Sequence, residues 1–235
     1  MGRRTLHSGK SRANRGLLAL LATVLAVSGC LSQGDLEALE SQACADSAEA
    51  CTITVGGTRD LSSTTSLAGT TSYRLRSAVV PASPFPYIEY LPGGYAENPG
   101  KDWPLIIMLH GLGEQGQGNS QSDLARAGVH GPNKRIGQGR HFPAVILTPQ
   151  TPTWWDSGDL NLFLTYALAN YRIDEKRVYV TGLSMGGAGT WGLGGVGHAR
   201  IAAIAPICGA ASANSTSAQN LLNSKVSVWA FHAQN

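Results

Sequence analysis

The residues of this chain with the clearest chemical potential are a serine and the glycines around it. Residues 182–186 read Gly-Leu-Ser-Met-Gly, so Ser184 stands in a G-x-S-x-G pattern. A serine in this pattern is a nucleophile when a strand leads into it and a helix follows, because the sharp turn between them exposes the hydroxyl. The pattern alone is weak, since a chain with 29 glycines produces such spacing readily. The neighbouring segments therefore decide its meaning.

The segments on both sides of Ser184 fit such a turn. Residues 177–181 predict a β-strand, and residues 186–189 are Gly, Gly, Ala and Gly. Small residues are needed there because the backbone of the nucleophile is strained and the helix packs closely on the strand. This context disfavours the alternative, an ordinary serine in a glycine-rich turn. We expect Ser184 to be a catalytic nucleophile.

A second candidate element is the His-Gly-Leu-Gly-Glu segment at residues 110–114. Acyl transfer by a serine needs N–H donors aimed at the oxyanion, one after the nucleophile and one from a loop like this. The sequence therefore predicts an oxyanion hole made by the N–H groups of Met185 and Leu112. His110 lies before the loop, and we expect it to brace the loop by hydrogen bonding rather than act as the base.

The elements that must position these groups are apolar strands that alternate with helical patterns. Such alternation predicts an α/β domain, with a mostly parallel sheet between helices, over residues 71–235. Trp154 and Trp155 follow one strand end at the edge where ligands bind, so they either line a substrate pocket or cover the core. The predicted strands are residues 73–80, 86–91, 105–109, 144–147, 178–180, 201–207 and 226–231, and the predicted helices are 160–169 and 218–223.

The first 29 residues have the pattern of a secretory signal. Five basic residues and no acidic one precede a twelve-residue apolar run, which is shorter than the roughly 20 residues needed to span a bilayer. Small residues lead directly into Cys30, which predicts a bacterial lipoprotein signal with Cys30 as the lipidated residue. An ordinary cleaved signal peptide is the alternative. Either case predicts export, to the bacterial cell envelope by a lipid anchor or as a secreted protein.

Residues 30–70 are rich in serine, threonine and alanine, which predicts a tether rather than a packed domain. Cys44 and Cys51 either close a small disulfide loop or remain two thiols, while Cys208 is expected to be a buried thiol. No cysteine or histidine spacing indicates a metal site. Without residues 1–29 the chain has thirteen basic and fifteen acidic residues, a formal charge of −2, so no nucleic-acid partner is expected.

Short motifs follow one another in a fixed order from residue 90 onward. They lie at residues 90–95, 103–105, 109–111, 148–150, 171–174, 182–187, 189–191 and 205–209. In these motifs the chain resembles the secreted carboxylesterases, feruloyl esterases and predicted peptidases of the α/β-hydrolase superfamily, from about Tyr87 to the end. The resemblance implies a three-layer α/β-hydrolase sandwich, no cofactor, and an ester substrate that is a small molecule or a side group of a polysaccharide or polyester.

In that family an aspartate and then a histidine follow the strand that corresponds to residues 226–231, and neither is present here. His232 matches a non-catalytic histidine of the family pattern, and His198 has no acid to orient it. We expect a C-terminally truncated enzyme that lacks its last strand or strands and is weakly active; a naturally short protein without turnover is the alternative. The reading frame after codon 235 distinguishes the two.

Three functions remain open. The resemblance favours an exported, lipid-anchored serine hydrolase of carboxylic esters, with the acid and the histidine of its triad missing from these 235 residues. A serine peptidase of the same fold is the first alternative, because a nucleophile and an oxyanion hole serve amides as well. An inactive cell-surface binding protein is the second.

Overall fold

The computed structural model describes residues 72–76, 83–210 and 215–233. The predictions for residues 1–29 and 30–70, including those for Cys30, Cys44 and Cys51, lie outside the described residues. Within the described part, no helix is long and apolar enough to cross a membrane.

One mixed sheet forms the centre of the described domain. Its seven strands are arranged in the order β1-β2-β4-β3-β5-β6-β7. The strands are β1 (Ser72–Arg76), β2 (Tyr87–Leu91), β3 (Trp103–Leu109), β4 (Val145–Pro149), β5 (Ile173–Leu183), β6 (Ala203–Ile207) and β7 (Ser227–Val228).

The direction of the strands brings the candidate residues to one edge. β2 runs antiparallel to its neighbours β1 and β4. The other four pairings, β4–β3, β3–β5, β5–β6 and β6–β7, are parallel. The carboxyl ends of the parallel strands therefore meet at a single edge, where α/β sheets bind ligands. Beyond β7, Phe231 makes one further parallel bridge to Ile207.

Helices cover both faces of the sheet, and this explains the continuous apolar runs in its central strands. β4 and β6 are buried at every position. On one face, Leu160, Phe163 and Leu193 pack against the strands, while Ile136 and Phe142 belong to the core of the other face. The helices are α1 (Gln121–Ala125), α2 (Gly131–Gly137), α3 (Ser157–Asn170), α4 (Met185–Gly197) and α5 (Ser215–Asn223).

The predicted α/β architecture is confirmed, and the differences lie in the bounds and in two short helices. β5 begins at Ile173, five residues before its predicted start, because its first part pairs with the beginning of β3. Helices α1 and α2 were not predicted. They have five and seven residues and contain no repeated apolar period, so the sequence carries little helical signal there.

Candidate active site

Ser184 occupies the turn between β5 and α4 and is exposed at the carboxyl edge of the sheet. Its φ of 56° and ψ of −112° are unusual for a residue with a side chain, and such a conformation costs of order 1–3 kcal/mol. Two hydrogen bonds hold the turn: Ser184 N–H donates to the carbonyl of Ile207 at 2.8 Å, and Ala188 N–H donates to the carbonyl of Ser184 at 3.0 Å. The surrounding sheet and helix thus keep the hydroxyl presented to solvent.

The glycines around Ser184 are required by close packing. A β-carbon on Gly186 would lie 2.1 Å from the carbonyl oxygen of Leu109, and one on Gly182 would lie 2.3 Å from the carbonyl oxygen of Gly186. Real β-carbons do not approach backbone atoms so closely. The first turn of α4 is therefore pressed directly onto the ends of β5 and β3, which gives the serine turn its sharpness.

The loop after β3 lies next to Ser184. A β-carbon on Gly111 would lie 3.9 Å from Cβ of Ser184 and 3.4 Å from the carbonyl oxygen of Leu183. The following residues, Leu112–Glu114, form a short 3₁₀ turn with the Leu112 side chain 60% exposed. On the other side, the N–H of Met185 belongs to the first turn of α4, where amides have no partner within the helix. Of the two predicted oxyanion donors, Met185 thus directly follows Ser184 in the chain, and Leu112 directly follows Gly111, whose backbone lies against Ser184.

His110 is a buried brace, as the sequence predicts. Its Nδ1–H donates to the carbonyl of Gly111 at 2.7 Å, and its Nε2 accepts the N–H of Thr151 at 3.1 Å. Both ring nitrogens are therefore occupied by backbone groups, which defines the neutral tautomer. Burial also lowers the pKa of His110 below its usual value. A neutral histidine with both nitrogens engaged ties the loop after β3 to the loop after β4, and it is unsuited to be a base.

The adjacent tryptophans have different environments. Trp155 is 6% exposed, packs edge-on against Phe85, and donates its indole N–H to the carbonyl of His110 at 3.1 Å. Trp154 is 60% exposed at the same edge of the sheet. Of the two alternatives for these residues, covering the core fits Trp155 because its ring and its N–H are both used inside the protein. Trp154 remains available to a ligand.

The described domain is similar to solved structures of esterases. No protein-family model matches the chain. Among solved structures, it is similar to a thermostable esterase, with 29% identity and a TM-score of 0.50 over 64% of this chain and 43% of that one. A feruloyl esterase module from Clostridium thermocellum has 16% identity and a TM-score of 0.47 over 74% of this chain and 70% of that one. An acetyl xylan esterase from Aspergillus awamori has 17% identity and a TM-score of 0.41 over 61% and 53%.

The chain has the α/β-hydrolase fold. This confirms the resemblance to α/β-hydrolase esterases that the ordered motifs indicate. The alignment spans less than half of the length of the thermostable esterase, so this α/β-hydrolase domain corresponds to part of that protein.

Four further histidines lie among the described residues, and one of them, His141, is half-buried before β4 with its Nδ1 buried and without a hydrogen-bond partner. His130 Nε2 lies 3.5 Å from a carboxylate oxygen of Glu114, and His198 Nδ1 lies 2.6 Å from the hydroxyl of Ser224. His232 is exposed directly after the bridge at Phe231. In residues 72–76, 83–210 and 215–233, no three His, Cys, Asp or Glu side chains form a group that could hold a metal ion.

Two features of the site were missed from the sequence. Glu114 accepts the N–H of Gly111 at 2.7 Å, and Gln150 donates to the carbonyls of Glu114 and Asp123, both at 2.9 Å. The Gly111-x-x-Glu114 spacing is that of a capping box and could have identified the first contact.

Cys208 was expected to be buried, but it is only half-buried because it follows β6 at the exposed edge.

Proposed function

We propose that the chain is an exported serine hydrolase that cleaves carboxylic esters with Ser184 as its nucleophile. One observation carries the proposal: Ser184 is held exposed in a strained turn, with the Gly111 backbone against it. Backbone strain persists only where the surrounding structure enforces it, and it concentrates at functional sites. The similarity to a thermostable esterase supports esters as the substrate class.

In the proposed reaction, the Ser184 hydroxyl attacks the ester carbonyl while its proton passes to a base. The carbonyl oxygen becomes an oxyanion, which the N–H groups of Leu112 and Met185 stabilise. The base then gives its proton to the departing oxygen, so the alcohol leaves and the acyl group stays on Ser184. Water hydrolyses this acyl-serine ester, which releases the acid and restores the Ser184 hydroxyl. The exposed Trp154 would contact the apolar part of the substrate.

The base and its orienting acid are proposed to lie outside the described residues. His110 has both nitrogens engaged by backbone groups, and the described partners of His130 and His198 are Glu114 and Ser224. The Nδ1 atom of His141 is buried without a hydrogen-bond partner, and His232 is exposed directly after Phe231, so no described histidine is seen paired with a carboxylate beside Ser184. Serine hydrolases without a triad member keep only the contributions of the oxyanion hole and binding. The described residues, which would then lack a base, are therefore expected to support only slow turnover.

Covalent labelling tests the nucleophile. Incubating the chain with a fluorophosphonate for hours and mapping the adduct by peptide mass spectrometry should place it on Ser184 alone. Ser184→Ala should lose the adduct, whereas Ser122→Ala, which removes an exposed serine of α1, should keep the wild-type labelling rate. An adduct that persists in Ser184→Ala would exclude the proposed nucleophile and favour a binding protein.

Hydrolysis of p-nitrophenyl acetate tests where the base lies. Slow turnover that depends on Ser184 would support a base outside the described residues. Turnover at ordinary esterase rates, a kcat of roughly 1–1000 per second, would instead require a base within this chain.

Export and anchoring form a separate proposal, supported by the basic and apolar pattern of residues 1–29. Expression in a bacterium fed an alkyne fatty acid should give a membrane-bound, alkyne-labelled protein. Cys30→Ser should abolish the label, and Cys208→Ser should not. A label that survives Cys30→Ser would refute lipidation at this residue.

A further inference from the structure

The carboxylate of Glu114 is placed beside the backbone that faces the nucleophile. One carboxylate oxygen accepts the Gly111 N–H at 2.7 Å, and the other lies 3.5 Å from His130 Nε2. Only 14% of the Glu114 side chain is exposed. A largely buried carboxylate with a partner for each oxygen has a fixed position, and it fixes what it binds.

Glu114 also acts on Gly111 through its backbone. The N–H of Glu114 donates to the carbonyl of Gly111 at 3.3 Å, while the carbonyl of Glu114 accepts the side-chain amide of Gln150 at 2.9 Å. Both polar groups of Gly111 are therefore bound by the same residue, which is itself attached to the loop after β4.

These contacts determine where the Leu112 N–H points. The carbonyl of Gly111 and the N–H of Leu112 belong to one peptide plane and point in opposite directions, because the peptide is trans. That carbonyl is held by His110 Nδ1–H and by Glu114 N–H, so the Leu112 N–H is directed away from both.

We propose that Glu114 is a positioning residue that holds the Leu112 N–H in place as an oxyanion donor. The inference rests on the proposed function of Ser184. Without the carboxylate, the Gly111 N–H loses its acceptor and the 3₁₀ turn loses its side-chain cap, so the peptide before Leu112 can rotate. A donor displaced by about 1 Å loses much of its effect on a reaction, and losses of roughly a hundredfold are typical.

The test compares Glu114→Ala with Glu114→Gln, which keeps an acceptor oxygen for the Gly111 N–H. The rate constant of Ser184 phosphonylation should fall roughly tenfold to a hundredfold in Glu114→Ala and stay within about threefold in Glu114→Gln. The inhibition constant for reversible binding of the same probe should change little in both, because only the oxyanion is affected. Asp156→Ala is the matched control: it removes a carboxylate that accepts a backbone N–H at the same edge, at the start of α3. It should react like the wild type.

Amide NMR provides a readout that does not depend on reactivity. The Gly111 N–H signal should lie downfield in the wild type, and in Glu114→Ala the Gly111 and Leu112 signals should shift and exchange faster with solvent. The Ala188 N–H, which donates to the Ser184 carbonyl, should not change, which would show that the serine turn is intact.

The outcomes separate the two proposals. A wild-type phosphonylation rate in Glu114→Ala would overturn the positioning role, as would an equal loss in Glu114→Ala and Asp156→Ala. A wild-type chain that forms no phosphonate adduct would contradict the function proposed for Ser184. In that case the amide NMR signals decide the positioning role alone. An unchanged Leu112 N–H signal in Glu114→Ala would overturn that role, and a shifted signal would support it.

Discussion

Gly186→Ala is expected to destabilise the domain by more than about 3 kcal/mol, at the upper end of what overpacking causes. The added β-carbon would lie 2.1 Å from the Leu109 carbonyl oxygen and 2.8 Å from that of His110. Both are backbone atoms at the end of a central strand, so no side chain can rotate to make room. The first turn of α4 would have to move away from β3, and the Ser184 turn would move with it. Urea unfolding followed by circular dichroism would measure the loss.

Gly137→Ala is the matched control for this prediction. Gly137 also lies in a helix, α2, but a β-carbon there would meet nothing within 4 Å. Alanine is the better helix former, so this variant should be unchanged or more stable by up to about 1 kcal/mol. A Gly186→Ala protein with the stability of Gly137→Ala would contradict the tight contact between α4 and β3.

Trp155→Ala is expected to cost about 3–5 kcal/mol, the usual range for a buried tryptophan truncated to alanine. The substitution would remove a ring that packs on Phe85 and His110, together with the hydrogen bond to the His110 carbonyl. Trp155→Phe should keep most of the packing and lose the hydrogen bond, at a smaller cost of about 1–3 kcal/mol. Urea midpoints of the two variants would check this order.

Trp154→Ala, one residue earlier, is expected to have the opposite profile. Because Trp154 is 60% exposed, its removal should change stability by less than about 0.5 kcal/mol. It should instead raise KM for an aryl ester while leaving kcat nearly constant, as expected when uniform substrate binding is lost. A stability loss equal to that of Trp155→Ala, or an unchanged KM, would contradict the distinction between the two tryptophans.

The sequence was most informative where a pattern reflects burial on both sides. The runs that became β3, β4 and β6 are apolar throughout because helices cover both faces, and this signal is local. The serine turn was also predictable from local sequence. Residues 186–189, after Ser184, are small because α4 packs too closely on the ends of the strands for larger side chains to fit.

The contacts around the oxyanion loop were less predictable because they join distant parts of the chain. Gln150 reaches Glu114 across 36 positions, and His110 reaches Thr151 across 41. No periodicity encodes such pairs, and polar side chains in loops have many alternative partners. The distinction between Trp154 and Trp155 likewise depends on which ring meets the end of β3, a matter of tertiary packing.

The turn that holds Ser184 depends on a residue that is synthesised later, because the Ser184 N–H donates to the carbonyl of Ile207. Cys208, directly after β6, has the same two features as Ser184: a positive φ, of 51°, and an N–H that donates to a carbonyl near the next strand, that of Phe231 at 2.8 Å. A nascent chain leaves the ribosome N-terminal end first. The hydrogen bond that holds the Ser184 turn can therefore form only after residue 207 has emerged. The hydrogen bond that holds the end of β6, from Cys208 to Phe231, can form only after residue 231 has emerged. A chain that ends before residue 207 therefore contains the serine without the hydrogen bond that holds its turn, because the acceptor lies more than 20 residues further along the sequence.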